Sequence, residues 1–195
     1  SVCGSKGMSG AAFFAASAAL RCGAGLVTVA APECISDILA SKLNEPLFLS
    51  LQDNGKTLSS SCTDELLYSL EKFSVCLEIL FSIIENIKIP LVIDADGITM
   101  LKENIHVLCN KTNEIVITPH PGEFARLLEI TIEDIQSNRL RYSTKFAQEY
   151  NTVVVLKGAN TVIAAPDGRT FINTNGNPGL AKGGSGDVLA GMIAS

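Results

Sequence analysis

Five short runs of this chain, Leu26–Ala31, Phe73–Leu77, Leu91–Asp94, Ile115–Thr118 and Thr152–Leu156, are apolar on both faces and mostly β-branched. A strand with one face in water alternates apolar and polar residues, whereas a run apolar throughout needs cover on both faces. Such strands fit a parallel sheet sandwiched between helices, and the intervening segments read as those helices. Gly10–Cys22 is small and Ala-rich, suited to close packing on a sheet, and Cys34–Leu43, Thr63–Leu70 and Glu78–Ile87 are further candidates. Ile132–Tyr150 is the clearest. Thr131 stands three residues before Asp134 as in a capping box, and Ile135, Tyr142, Phe146 and Tyr150 mark one face. Val162–Ala165 and Thr170–Asn173 flank Pro166-Asp167-Gly168, a hairpin pattern, so an antiparallel edge is expected beside the parallel core. A last helix is expected from Ser185.

A length of 195 residues suits one domain with a single core. With 47% hydrophobic and 18% charged residues, the chain is not of the disordered class. The longest weakly polar stretch, Gly10–Leu20, ends at Arg21, short of the ~20 apolar residues that span a membrane. No charged segment with an apolar core opens the sequence, so no secretory signal is visible. A net charge of −5 without any basic run argues against nucleic acid as a partner. A small anion stays open, because backbone N–H groups bind phosphate without net positive charge. The six cysteines, Cys3, Cys22, Cys34, Cys62, Cys76 and Cys109, form no CxxC pair, and the histidines number only two, so zinc is not expected. Several lie in apolar runs, where a thiol packs as a small hydrophobe. Free thiols in a reducing cytoplasm are the expectation.

The strongest chemical signal is Asn175-Gly-Asn-Pro-Gly-Leu-Ala-Lys-Gly-Gly-Ser-Gly-Asp187, leading into an apolar helix. Glycines let the backbone approach a phosphate closely, and the N–H groups of a helix start attract its charge. Asp187 falls in the first turn, where it serves either as general base toward a hydroxyl or merely as a helix cap. The GxxxxGK[ST] spacing of a Walker loop is absent. Lys157, in Leu156-Lys-Gly-Ala-Asn-Thr161, follows a strand at its carboxyl end, where open α/β sheets bind ligands; the alternative is a surface lysine on a turn. In Thr118-Pro-His-Pro-Gly-Glu-Phe-Ala-Arg126, His120 is held between two prolines and Glu123 and Arg126 enter a helix. His120 and Glu123 suit contact with substrate or with metal-bound water, or simple helix initiation. Asp94-Ala-Asp96-Gly97 suits Mg²⁺ through water, a ribose, or an Asx turn. Cys3–Ala12 is a glycine loop opening a helix, through which a ligand approaches or on which helices pack closely; Cys22–Gly25 ends that helix.

Five segments, GSKGMSGAA (4–12), VIDADGIT (92–99), TPHPGEFARLL (118–128), LKGANTVIAAPDG (156–168) and NGNPGLAKGGSGDVLAGMI (175–193), together resemble the ADP/ATP-dependent NAD(P)H-hydrate dehydratases, the carboxyl-terminal type of domain in YjeF-related proteins. The resemblance implies a single domain over residues 1–195 with a ribokinase-like three-layer α/β/α fold, a mostly parallel central sheet and an antiparallel edge hairpin. It also implies a repair reaction: ADP or ATP phosphorylates the extra hydroxyl of hydrated NADH or NADPH, and phosphate then leaves, restoring the ring double bond. Asp187 would be the base. Lys157, Gly158, Ala159, Asn160, Thr161, Asn177, Gly183, Gly184, Ser185 and Gly186 would contact the nucleotide, and Ala11, His120, Glu123 and Asp187 the hydrated cofactor. Mg²⁺ would sit on the phosphates, and a cytoplasmic homo-oligomer, a tetramer, is implied. The family's Gly-Pro-Gly-x-Gly loop after the third strand has no counterpart at Cys76-Leu77-Glu78. There a strand runs straight into a helix, where about 2–6 loop residues are usual. A missing loop near 77–78 and incomplete ends are therefore expected, since the last helix stops at Ser195 while still apolar. The alternatives are a superfamily kinase acting on a hydroxymethylpyrimidine or a sugar, and an inactive nucleotide-binding module. The choice of donor and the presence of a preceding epimerase domain are not legible.

Overall fold

The elements follow one another as α1 (Ser9–Cys22), β1 (Thr28–Pro32), α2 (Glu33–Ala40), β2 (Leu47–Leu51), α3 (Leu77–Asn86), β3 (Leu91–Ile93) and α4 (Asp96–Leu101). A 3₁₀ segment (Lys102–Cys109), β4 (Ile115–Ile117), α5 (Pro121–Leu128), α6 (Ile132–Ser137) and α7 (Arg139–Glu149) come next. The chain continues through β5 (Val153–Leu156), β6 (Thr161–Ala164), β7 (Thr170–Asn173), a 3₁₀ turn (Pro178–Leu180) and α8 (Ser185–Ile193). This computed structural model describes residues 1–59 and 77–195. The expected helix Thr63–Leu70, the strand residues Phe73–Cys76 and the thiols of Cys62 and Cys76 lie outside the described residues. Leu77, expected to close that strand, lies in α3.

The chain divides into two compact units, Ser1–Ile83 with Lys182–Ser195, and Ile84–Ala181. In the first, β1 and β2 pair in parallel from Thr28↔Leu47 to Pro32↔Leu51. β1 starts two residues later than the apolar run, because Leu26 is 70% exposed. β2 carries no β-branched residue and so has no strand signature in the sequence; pairing with β1 decides its conformation. The core is built from Ala12, Ala16 and Ala19 of α1, Val29 and Ala31 of β1, and Ile35 and Leu39 of α2. Small residues keep α1 narrow, and α8 uses the same device. Gly191 lies so close to the Ala15 carbonyl that a Cβ there would collide with backbone, so the two helices meet main chain to main chain.

In the second unit the sheet order is β3-β4-β5-β6-β7. β3, β4 and β5 are parallel, in register Leu91↔Ile115 and Ile117↔Val154. The hairpin β6–β7 continues antiparallel from β5, with its turn closed by the Gly168 N–H on the Ala165 carbonyl (3.0 Å). The described residues thus form an α/β fold of mostly parallel strand pairs with an antiparallel edge, as the sequence indicates. Ile93, Ile117, Val154 and Leu156 are buried at their positions in the strands, and Phe124 of α5 meets Phe146 of α7 edge-on at 5.4 Å between ring centres.

The segment Ile132–Tyr150 is two helices rather than the single one expected. The Thr131–Asp134 capping box is present, with Asp134 N–H on Thr131 Oγ1 (3.1 Å) and Thr131 N–H on Asp134 Oδ2 (3.3 Å). At Asn138, however, the backbone leaves the helix (φ −140°, ψ 41°). Ser and Asn compete with the helix for backbone hydrogen bonds, and here they break it. The break makes Arg139 the first residue of α7. Cys22, Cys34 and Cys109 are exposed rather than packed as small hydrophobes; with the half-buried Cys3 they are free thiols. Among the described residues no helix is long and apolar enough to cross a membrane.

Candidate functional site

Three parallel strands of the second unit end side by side, and their carboxyl ends carry three of the motifs. β5 ends at Leu156 and delivers Lys157, whose ammonium donates to Asp94 Oδ1 (2.7 Å) just past β3. The same nitrogen lies 3.9 Å from Glu123 Oε2, on the helix that follows β4. The Lys157 N–H donates to the Pro119 carbonyl (2.8 Å). Its carbonyl accepts from Arg139 Nη2 (3.3 Å), which also donates to the Leu156 carbonyl (2.9 Å). Lys157 is therefore held through its backbone on both sides and through its ammonium. It is not a loose surface lysine.

His120 is the N-cap of α5. Its Nδ1 accepts from the N–H groups of Gly122 (3.0 Å) and Glu123 (3.1 Å), while Glu123 Oε2 accepts from the His120 N–H (2.7 Å). This reciprocal cap satisfies the orphan donors of the helix start. With Nδ1 accepting, the neutral ring carries its proton on Nε2, which lies 3.3 Å from Glu123 Oε1. The His120 side chain is half exposed (49%) and that of Glu123 nearly buried (9%). His120, Glu123, Lys157 and Asp94 so form one chain of polar contacts, and a buried carboxylate is tolerated because it is hydrogen-bonded and faces a cation. Arg126 is exposed on α5. Asp94 forms an ion pair, and beside it Ala95 adopts φ +51°, ψ −119°, a conformation that costs a residue with a Cβ about 1–3 kcal/mol.

The turn between β5 and β6 holds Gly158, Ala159 and Asn160, all exposed, and Thr161, whose hydroxyl donates to the Gly158 carbonyl (3.0 Å). Gly158 has φ +141°, and a Cβ there would lie 2.6 Å from Arg139 Nη1. Asn177 spends its side-chain oxygen within its own loop, accepting from the Gly179 N–H (2.7 Å).

In the first unit the other two motifs meet. Gly184 is the N-cap of α8 with φ +89°, and a Cβ on it would lie 2.7 Å from Phe14 Cε2, so the glycine loop rests directly on a ring of α1. Among the described residues no side chain caps α8. Its first turn holds Ser185, Gly186 and the half-buried Asp187, with Gly183 exposed ahead of it. Ala11, in the opening turn of α1, is half-buried. Burial pushes the Cys3 thiol up, and the Asp187 carboxylate adds to the shift; the acid therefore lies in electrostatic reach of the Cys3–Ala12 loop. A helix start capped by glycine and carrying a carboxylate in its first turn can hold an anion on backbone N–H groups and accept a proton beside it.

The structure thus gathers His120, Glu123 and Lys157 around a shared network, and in the other unit gathers Ala11, the Gly183–Gly186 loop and Asp187 on the α1–α8 pair. Asp94 is singled out in the sequence, but not as the partner of Lys157, and Arg139 is not singled out at all. Asp94 lies 63 residues from its lysine, and Arg139 lies 17 residues from Leu156 behind a helix break. Neither distance leaves a local pattern; Ser137-Asn138 was the one available hint.

The profile of the family described as NAD(P)H-hydrate dehydratase matches residues 2–195. A bifunctional NAD(P)H-hydrate repair enzyme of Moorella thermoacetica is 43% identical over 98% of this chain and 38% of its own length. An ADP-dependent (S)-NAD(P)H-hydrate dehydratase of Bacillus subtilis is 32% identical over 97% of this chain and 68% of its own. The chain thus spans about two fifths of the bifunctional relative. Among solved structures, an ADP/ATP-dependent NAD(P)H-hydrate dehydratase from Bacillus subtilis, co-crystallised with ATP/Mg²⁺ and soaked with CoA, superposes with a TM-score of 0.74 at 28% identity, covering 98% of this chain and 70% of that one. A ribokinase-like superfamily protein from Enterococcus faecalis superposes with a TM-score of 0.66 at 28% identity, covering 95% and 65%.

Proposed function

This chain belongs to the NAD(P)H-hydrate dehydratase family, and from that premise we propose that its protein repairs hydrated NADH and NADPH at the expense of ADP or ATP. The observation that carries the reading is Asp187 in the first turn of a nine-residue helix with a glycine N-cap and, among the described residues, no capping side chain. That arrangement leaves the helix start open to a phosphoryl group and puts a base beside it.

In this reading Asp187 takes the proton of the extra ring hydroxyl as that oxygen attacks the terminal phosphorus of the nucleotide, and the bond from that phosphorus to the bridging oxygen breaks to release AMP from ADP or ADP from ATP. N–H groups of Gly183, Gly184, Ser185 and Gly186 stabilise the phosphoryl group in flight. The phosphate ester then leaves as inorganic phosphate while the neighbouring carbon loses a proton, and the ring double bond returns. Lys157, Gly158, Ala159, Asn160, Thr161 and Asn177 contact the nucleotide, and Ala11, His120 and Glu123 the hydrated ring. Glu123 and the Nε2–H of His120 offer an acceptor and a donor for its polar groups. Mg²⁺ would be carried by the nucleotide's own phosphates, where it would neutralise charge on the transferring group.

The aligned stretch with the Moorella relative runs to 204 positions against 195 residues here. This supports a family loop being absent, which we place near 77–78. Exposed Phe171 and Ile172 on β7, 62% and 52% accessible, support a homo-oligomer, and the free thiols support a cytoplasmic setting. The test is product analysis of the complete protein with hydrated NADH, Mg²⁺ and ADP or ATP, followed by phosphorus NMR. Inorganic phosphate released in step with NADH is expected; a stable phosphate ester would replace this reading with a kinase.

A further inference from the structure

We propose that Arg139 is the positioning residue of the turn Lys157–Asn160, its guanidinium fixing the turn's backbone in the form that receives the adenine nucleotide. The proposal rests on the reading of Lys157–Thr161 as nucleotide-contacting.

Three features make Arg139 costly where it stands. It is the first residue of α7, whose first turn holds no acidic residue, so its cation faces the positive end of the helix dipole. The guanidinium is drawn out of water, which disfavours its charged form. Its Nε is buried without a hydrogen-bond partner among the described residues. Nothing in α7 itself offsets these costs.

What offsets them lies across the gap to β5. Nη2 donates to the Leu156 carbonyl at 2.9 Å and to the Lys157 carbonyl at 3.3 Å. Nη1 occupies the space that a side chain at residue 158 would need. The planar head therefore lies along the entry to the turn, against the last residue of β5 and the first two of the turn. The turn needs such a partner. Two of its residues, Gly158 and Asn160, have positive φ (+141° and +57°), and all but Lys157 are exposed. The register Leu156↔Val162 fixes only the strands that flank it. Pro119 holds the Lys157 N–H and Asp94 holds its ammonium; Arg139 supplies the third restraint, on the carbonyl side. A lysine replaces it only in part: an ammonium can donate to both carbonyls, but it lacks the second nitrogen that fills the space against Gly158.

The experiment uses the complete protein and three variants: Arg139→Met, Arg139→Lys and Lys157→Met. The readouts are the Kd for Mg·ADP by calorimetry, the KM for hydrated NADH, and Tm. Losing a charge-assisted pair of hydrogen bonds is expected to weaken Mg·ADP about tenfold in Arg139→Met. KM for the hydrate stays within about twofold, because the contacts assigned to it are untouched, and Arg139→Lys regains only part of the affinity. A lowered Tm with an unchanged Kd in Arg139→Met would overturn the proposal and leave Arg139 a purely structural residue. An unchanged Kd in Lys157→Met would instead overturn the nucleotide assignment of the turn. Arg139→Gln, which keeps a donor without the charge, answers the same question should Arg139→Met fail to fold.

Discussion

The two motif clusters are built from opposite materials. At the ends of β3, β4 and β5, the chain uses side chains: His120, Glu123, Lys157 and Asp94 hold one another through charge and hydrogen bonds. At the start of α8, it uses almost none: Gly183, Gly184 and Gly186 surround Ser185, and the geometry comes from main chain resting on Phe14 and Ala15. The side-chain cluster is preformed by electrostatics and answers to charge-altering substitutions. The glycine cluster is preformed by close packing and answers to added volume. One conservative change should therefore be mild in one place and severe in the other.

The largest effect is expected from one methyl group. Gly191→Ala sets a Cβ against the Ala15 carbonyl, and backbone cannot move aside as a flexible side chain can. A loss of about 3 kcal/mol by denaturant titration is expected; a loss under about 0.5 kcal/mol would mean that α1 and α8 are not packed main chain to main chain. Asp94→Asn comes next. It removes the partner of an ammonium only 21% exposed, and Glu123 at 3.9 Å compensates in part. About 2 kcal/mol of stability is expected to go, and a smaller loss on adding salt to the parent would be consistent with a pair shielded from solvent. His120→Ala removes the acceptor of two N–H groups at the α5 start, at about 1 kcal/mol, whereas His120→Asn keeps a capping oxygen and most of the stability. Loss of hydrate affinity in His120→Asn without loss of Tm would separate capping from binding.

The smallest effect tests the placement of Asp187 without any turnover. The Cys3 thiol is raised by burial and by the Asp187 carboxylate. A raised pKa leaves less thiolate at a given pH, so Cys3 should alkylate more slowly than exposed Cys22 at pH 8. In Asp187→Asn the smallest cause of the shift is gone, so the thiolate fraction rises and Cys3 labelling should quicken. Mass spectrometry of iodoacetamide-treated protein reads this out. An unchanged Cys3 rate would separate Asp187 from the first motif loop.

The same contrast explains what the sequence discloses. Strands rich in Val and Ile, such as Ile115–Ile117 and Val153–Leu156, are visible because their pattern has one physical reading. Leu47–Leu51 is not, because leucine and phenylalanine suit helix and buried strand alike and the choice lies with β1. The break at Asn138 is weak locally, since Thr131, Asp134 and the apolar face argue for a continuous helix. The glycine loop and Asp187 are legible because backbone-built sites need glycines in sequence. The side-chain network is legible only in part: His120 and Glu123 sit three residues apart, but Asp94 and Lys157 are joined by the order of strands in the sheet, which no local pattern encodes.

The most direct test of the central claim follows the complete protein with hydrated NADH, Mg²⁺ and ADP or ATP, reading the return of NADH absorbance and the release of phosphate together. The account predicts both in the parent, with one nucleotide favoured, and a fall of about 10²- to 10⁴-fold in Asp187→Asn at unchanged Tm. A parent rate retained by Asp187→Asn would contradict it, because the Asp187 carboxylate would then have no part in the chemistry.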